Sequence, residues 1–461
     1  MARFSFYNPH ENSSRAIVVA VETPSPACDF TTQESLSELS HLAETLNITT
    51  VGKLVQKLDA PVHSTYIGSG KLLELKHMAQ SLMADFIIFD DELSPSQQSN
   101  ICHAVGKSFQ VIDRCSLILD IFAAHATTKE GKLQVKLAHM QYMLPRLKGM
   151  WSHLLGEQTR GGIGSRFGQG ESQLEIDRRL SREKIAHVKQ QLAALEIQRK
   201  VQRSIRSSSP LYKIALVGYT NAGKSTLLNR ISHSSTYVKD ELFATLDSTT
   251  RSITLPDTRR AVLSDTVGFI QKLPTELIDA FKSTLLDVVS ADLLLCVVDV
   301  SSAHAEKEMN LVLSILNDIG AGSIPYLIVA NKIDRIASNS YAHASEHEVS
   351  PCVEYLTPSN SSSAHTQPNE LALFNSIDPT HVAYISAETG QGIETLLQMI
   401  SHKLMSQETY MVLHVAYKDS SFIPLIHTYG RVVRETYDEQ GTQLCVYVPH
   451  KLVERLKPFE L

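Results

Sequence analysis

The sequence predicts an α/β chain. Its centre is a P-loop domain with a doubly wound, mostly parallel sheet. An N-terminal α/β domain with a long helical hairpin precedes it, and a small C-terminal α/β appendage follows. Three observations carry this. Short apolar runs alternate with helical stretches over 211–406, as in a parallel sheet wrapped by helices. The glycine-rich segment Gly218–Ser225 follows one such run and opens a helical stretch, the setting a phosphate loop needs. Between 131 and 206, two long helical patterns flank a loop with glycines at 161, 162, 164, 168 and 170.

Taken in order, these patterns divide the chain into 1–130, 131–206, 211–406 and 407–461. In the first part Ala16–Val21 and Phe86–Phe89 read as strands and Leu36–Leu46 as a helix. In the second, Leu133, Leu137, Met140 and Leu144 fall on one helix face. A second helix starts near Gln173, with a heptad-like stripe of Ile185, Val188, Leu192 and Leu195. Ser207–Pro210 breaks it. Strands of the third part are expected at Lys213–Val217, Ala261–Ser264, Leu293–Val298, Tyr326–Ala330 and Val382–Ile385. The long connection after Asp334, about 335–380, has a Ser-, Asn- and Thr-rich centre, Thr357–Pro368, expected to be disordered. Met411–Val415 and Leu444–Val448 read as strands of the tail.

With 461 residues, 43% hydrophobic and 20% charged, most of the chain can bury a core. A net charge of -6 excludes a uniformly basic nucleic-acid binder while allowing a local basic patch. The six cysteines lack metal-ligand spacing and read as reduced thiols. Met1–Arg15 lacks the apolar core of a signal peptide, and apolar runs such as Leu293–Val298 are too short to cross a bilayer. A cytoplasmic protein with no membrane span is expected, and a monomer.

The chemistry concentrates in the third part. Gly218, Tyr219, Thr220, Asn221, Ala222, Gly223, Lys224 and Ser225 form G-x-x-x-x-G-K-S. Glycines let the backbone N–H groups curl toward phosphate oxygens, and the next helix adds its positive end. Lys224 is expected to reach the β- and γ-phosphates, and Ser225 to ligate Mg²⁺. Asn331, Lys332, Ile333 and Asp334 follow a strand, at the carboxyl end where open α/β sheets bind ligands. Guanine offers two adjacent donors that one carboxylate, Asp334, can accept. Adenine lacks the pair and would leave that carboxylate unsatisfied. Ser386, Ala387 and Glu388 are expected to bring a backbone N–H to the guanine carbonyl. The ligands are therefore GTP and GDP.

Asp265, Thr266, Val267 and Gly268 supply a γ-phosphate sensor: Asp265 would hold the metal through water, and the Gly268 N–H would meet the γ-phosphate. Between this motif and the P-loop lies Leu242–Arg251, and from spacing alone Thr245, Thr249 and Thr250 are all candidates to complete the metal shell. Many GTPases orient the attacking water with a Gln after D-x-x-G. Phe269 stands there, so hydrolysis is expected to be slow until a partner completes the site.

Further motifs carry a resemblance. They are Tyr66–Lys71 (YIGSGK), Asp90–Pro95 (DDELSP), Val111–Arg114 (VIDR), Leu119–Phe122 (LDIF), Ala124–Gln134 (AHATTKEGKLQ), Gly161–Gly164 (GGIG) and Gly170–Glu175 (GESQLE). With Leu242–Arg251 (LFATLDSTTR), Asp265–Ile270 (DTVGFI) and Asn331–Asp334 (NKID), the chain resembles the HflX family of the Obg–HflX superfamily along nearly its whole length. The resemblance places the switch threonine on Thr245, within Phe243, Ala244, Thr245, Leu246 and Asp247. It thereby implies catalytic roles for Lys224, Thr245 and Gly268 and metal ligation by Ser225 and Thr245. It implies a partner too, the 50S ribosomal subunit and its rRNA, met through the N-terminal part and the glycine loop near the peptidyl-transferase region. Family members can split stalled or idle ribosomes.

Departures are visible. The family's Gly-Pro-Gly-Glu-Thr-Gln is here Gly168–Gln173 (GQGESQ), so the loop is expected to be less rigid. The insertion after Asp334 is longer than expected, and the tail matches only loosely. An RNA partner gains independent support from Gln173–Arg206, which holds nine Lys/Arg against four Asp/Glu, and from Arg160, Arg166 and Phe167 by the glycine loop. A solvated helix face and a flexible linker are the plain alternatives. A ribosome-splitting GTPase is the first reading. A GTPase of ribosome biogenesis that binds 50S without splitting is the second. A nucleotide or helicase-like activity of the N-terminal part is the third, although Gly68–Lys71 is too short for a P-loop.

Overall fold

The computed structural model describes residues 14–24, 30–106, 108–158, 169–207, 211–232, 249–257, 259–272, 288–340 and 379–461. The chain forms two compact units.

The first unit comprises Met1–Ser209, Lys239–Thr249 and Thr266–Asp287. Its elements are β1 (Ser14–Glu22), α1 (Thr32–Thr45), β2 (Ile48–Lys57), α2 (Ser69–Ser81), β3 (Phe86–Phe89), α3 (Pro95–Val105), β4 (Gln110–Asp113) and α4 (Arg114–His125). The strands form a parallel sheet in the order β2-β1-β3-β4. Its two central strands are buried on both faces, which is why they read as unbroken apolar runs. Helix starts are fixed locally. Thr31 with Glu34 caps α1 and Ser94 with Gln97 caps α3, each side chain meeting the other's backbone N–H.

Two long helices follow, α5 (Lys129–Gln158) and α6 (Gln169–Ser207). They meet through Leu137, Met140 and Val188, flanked by Leu133, Ile185 and Leu192. Leu144 and Leu195, expected on the same stripes, stand outside that cluster. Helix α6 starts at Gln169, four residues before Gln173, and it exposes Ile176, Leu180 and Ile197. Most of the glycine loop, with Arg160, Arg166 and Phe167, lies outside the described residues, as do 208–210.

The second unit holds Pro210–Val238, Thr250–Asp265 and Val288–Leu461. It runs β5 (Tyr212–Gly218), α7 (Lys224–Ile231), β6 (Thr250–Thr254), β7 (Arg260–Asp265), β8 (Leu293–Asp299), α8 (Ala305–Asp318), β9 (Tyr326–Asn331), α9 (Ile333–Ser340), β10 (Val382–Tyr384) and α10 (Ile393–Met405). The sheet order is β10-β9-β8-β5-β7-β6, parallel except for β6 against β7. Apolar side chains of β5, β7, β8 and β9 meet those of α7 and α10 in one core, including Leu216, Leu227, Leu295 and Leu396. Thr357–Pro368 lies outside the described residues.

The tail adds β11 (Glu408–Ala416), α11 (Phe422–Tyr429), β12 (Arg431–Tyr437), β13 (Gly441–Pro449) and α12 (His450–Leu456), an antiparallel sheet β11-β13-β12 with its own core. A buried knot ties it to the larger sheet. Arg259 pairs with Asp257 and with Glu408, and donates to Ser401 O at 3.1 Å. Tyr212 Oη also donates to Glu408.

Candidate nucleotide site

The site stands where the sheet presents its carboxyl ends. β5 ends at Gly218, whose position admits no side chain: a Cβ would lie 2.2 Å from Val297 O of the neighbouring strand. The chain then turns through Asn221 at φ 59 and Gly223 at φ 92, left-handed conformations that curl the loop. A Cβ on Gly223 would sit 2.3 Å from Asn331 Nδ2. Helix α7 starts immediately after it, so the loop N–H groups and the helix end point into one space.

Lys224 is buried. Its ammonium donates to Gly218 O at 3.1 Å and Tyr219 O at 2.6 Å. Burial pulls its pKa down to about 8, against the opposing pull of Asp265. A phosphate in the loop would restore the charge. Ser225 Oγ donates to Asp265 Oδ2 at 2.5 Å. This joins the start of α7 to the end of β7, and it sets two oxygen donors, the type a hard cation takes, side by side.

The base-reading side is held by one amide. Asn331, buried at the end of β9, donates from Nδ2 to Ala222 O at 2.8 Å, and its Oδ1 accepts from Ala387 N at 3.0 Å. The phosphate loop and the Ser386–Glu388 loop are therefore one connected body. Lys332, at φ 67, sends its ammonium to Asp299 Oδ2 at 2.6 Å. Ile333 N donates to Ile385 O, and Asp334 sits half-buried in the first turn of α9. The Ser386 N–H donates to Gln391 O. The Ser386 and Ala387 N–H groups, both expected near a base carbonyl, thus have protein acceptors in this structure.

Two contributors went unread in the sequence. Asp299 closes β8 and holds Lys332. Arg230, on α7, donates to Ala387 O at 3.3 Å and to Glu388 O, fixing that loop from below. Asp299 ends an apolar strand just as Asp265 does, and that was the available signal. Nothing local marks Arg230.

Of the threonine candidates, Thr250 opens β6 and its hydroxyl lies 3.4 Å from that of Ser264, which places it in a strand. Phe243, Ala244, Thr245, Leu246 and Asp247 lie outside the described residues. Thr266, Val267 and Gly268 are buried within the first unit, and Phe269 is only 3% exposed. A buried phenyl ring cannot hydrogen-bond a water.

Among the described residues, no group of three or more His, Cys, Asp or Glu could hold a metal, and no helix is long and apolar enough to cross a membrane. Residues 33–123 match a family model described as GTP-binding GTPase N-terminal, 125–206 the GTP-binding GTPase Middle Region, and 213–332 the 50S ribosome-binding GTPase. The chain is similar to a GTPase HflX of Caldanaerobacter subterraneus subsp. tengcongensis, 39% identical over 97% of this chain and 94% of the relative. Counterparts with the same name in Lacrimispora saccharolytica and Magnetococcus marinus are each 37% identical. They cover 97% of this chain and 96% and 95% of their own lengths.

Proposed function

Because this chain belongs to the HflX family of GTPases, and so binds and hydrolyses GTP, we propose that it is a magnesium-dependent factor that engages the 50S subunit in the cytoplasm and splits stalled or idle ribosomes. The observation that carries this reading is the extent of the family match. It runs through 33–206 as well as the GTPase region, and the model matching 213–332 is described as ribosome-binding. The N-terminal unit with α5 and α6 is the part offered to rRNA.

The residues divide the work. The loop N–H groups of Gly218–Ser225 cradle the phosphates, and Lys224 exchanges its carbonyl partners for β- and γ-oxygens. Asp334 accepts both donors of the guanine edge, and Asn331 keeps that edge in register with the loop. Ser225 and Thr245 are the proposed protein ligands of Mg²⁺, with Asp265 acting through water. When bound, the ion offsets charge developing on the phosphate oxygens. The Gly268 N–H meets the γ-phosphate. With Phe269 in the place of a water-orienting Gln, the attacking water waits on the ribosomal partner, so turnover rises strongly when large subunits are added.

Sedimentation of 70S ribosomes with the protein and a non-hydrolysable GTP analogue tests the reading. A rise in free subunits is expected. Attachment to 50S without dissociation would replace splitting with a role in biogenesis. Absence of any subunit attachment would overturn the ribosomal reading altogether.

A further inference from the structure

The N-terminal motifs that the nucleotide site leaves unused meet at one place. In the sheet order β2-β1-β3-β4, chain connection reverses between β1 and β3, and the crevice beyond such a reversal is where α/β sheets take their ligands. Asp90 and Asp91 stand there, immediately after β3, with the Asp90 N–H donating to Val19 O. Tyr66, at φ 65, donates its hydroxyl to Asp91. Arg114, 1% exposed, donates to Asp90 Oδ1 at 2.8 Å, Glu38 Oε2 at 2.9 Å and Ser35 O at 3.0 Å.

The occupant of this acidic crevice is the chain's own Lys272. Its ammonium bridges Asp90 and Asp91, at 2.5 Å from Asp91 Oδ1. Its backbone is held at φ 54, a left-handed conformation that a side-chain-bearing residue adopts only when its surroundings fix it. Gln271 adds two ties: its carbonyl accepts from Arg114 at 3.4 Å, and its side chain donates to Glu38. Burial would lower the Lys272 pKa, but Asp90 and Asp91 more than offset it and raise it. Burial likewise pushes Asp90 up, and Arg114 and Lys272 outweigh that and hold it low. Lys272 and Asp90 thus each hold the other in its charged form.

Lys272 stands four residues after Gly268, and Phe269 and Ile270 between them are buried. So short and packed a connection cannot move at one end alone. We propose that the Asp90–Asp91 crevice is a built-in receptor for the segment behind the γ-phosphate contact, and that Lys272 is the positioning residue whose docking there restrains Gly268. Undocking Lys272 frees the segment to follow the γ-phosphate, so the latch opposes the GTP-bound form and leaves GDP binding nearly untouched. The inference rests on the reading of Gly268 as the γ-phosphate contact.

The test is the ratio of affinities for a non-hydrolysable GTP analogue and for GDP, measured on the full chain. Lys272→Met keeps the stem and removes the charge; Asp91→Asn removes one acceptor. Each is expected to shift the ratio toward the GTP analogue by at least about fivefold, the low end of ordinary coupling between sites. Lys272→Arg is expected to restore the ratio of the unaltered chain. Lower thermal stability in both neutral variants with an unchanged ratio would make the cluster a structural tie only and overturn the latch. Gly268→Pro, which removes the N–H that would meet the γ-phosphate, separates the two readings. If it leaves the ratio unchanged, the γ-phosphate contact is wrong and the latch falls with it. If it abolishes the preference for the GTP analogue while the Lys272 variants do nothing, only the latch falls.

Discussion

Two strand-to-helix corners lie at carboxyl ends of parallel sheets and treat charge in opposite ways. At the corner from β5 to α7, glycines remove side chains, backbone N–H groups line the space, and Lys224 is the charge. At the corner from β3 to α3, two aspartates follow the strand and the space accepts cations, Arg114 and Lys272. The first corner is shaped by backbone conformation, and only a dissociable anion completes its charge. The second is shaped by side chains and is completed from within the same chain. The same position in a fold is thus a ligand site in one case and a joint in the other.

Predictions that break or sharpen this contrast can be ordered by size. Asp334→Asn should reverse base choice, with guanine affinity falling by about a thousandfold or more, as for sites built around a paired donor edge. Xanthine nucleotide should take over, because its C2 carbonyl suits an amide donor. Competition between GTP and XTP measures this, and an unchanged preference for guanine would remove Asp334 from the base site. At the other corner, Arg114→Met should cost about 3–5 kcal/mol of folding stability, because it leaves Asp90 buried with a lost partner. Chemical denaturation reads that loss, and nucleotide affinity of the folded fraction should change far less. Asn331→Ala should fall between the two kinds of effect. It strips partners from Ala222 O and Ala387 N, costing about 1–3 kcal/mol for each buried group left unsatisfied. It should therefore lower melting temperature and nucleotide affinity together.

The smallest effect is a titration. Burial sets the Lys224 pKa near 8, below the ordinary lysine value. The folded loop then holds fewer protons than the unfolded chain between about 8 and 10.5, so this group favours folding increasingly as pH rises through that window. Phosphate binding restores the proton. Nucleotide affinity should therefore fall by up to about tenfold per pH unit above 8, with proton uptake detectable by calorimetry in buffers of different ionisation enthalpy. A flat affinity from pH 7 to 9.5 would show that Lys224 is already charged before nucleotide arrives.

What the sequence disclosed follows burial. Strands covered on both faces, such as β1, β3, β5, β8 and β9, are continuous apolar runs and could be read directly. The strands not anticipated, β2, β4, β6 and β12, are all edges of their sheets. An edge strand such as Thr250–Thr254 is largely polar and exposed, so its sequence resembles a loop. The nucleotide motifs were legible because phosphate and guanine recognition constrain a few residues at short spacing. The Lys272 crevice was not, because its parts lie at 38, 66, 90, 91, 114 and 272 and only folding brings them together. The motifs Tyr66–Lys71, Asp90–Pro95 and Val111–Arg114 marked these places without saying what gathers there.

The knot around Arg259 bears on how such a chain can be shortened. Glu408 is the first residue of β11, yet its carboxylate is received deep against Arg259 and Tyr212. Cutting the gene just before that codon would deliver a protein whose inner arginine keeps Asp257 and Ser401 but loses its second counterion, and whose Tyr212 hydroxyl loses its acceptor. A trimmed version made for crystallisation or expression should therefore begin its deletion after Glu408.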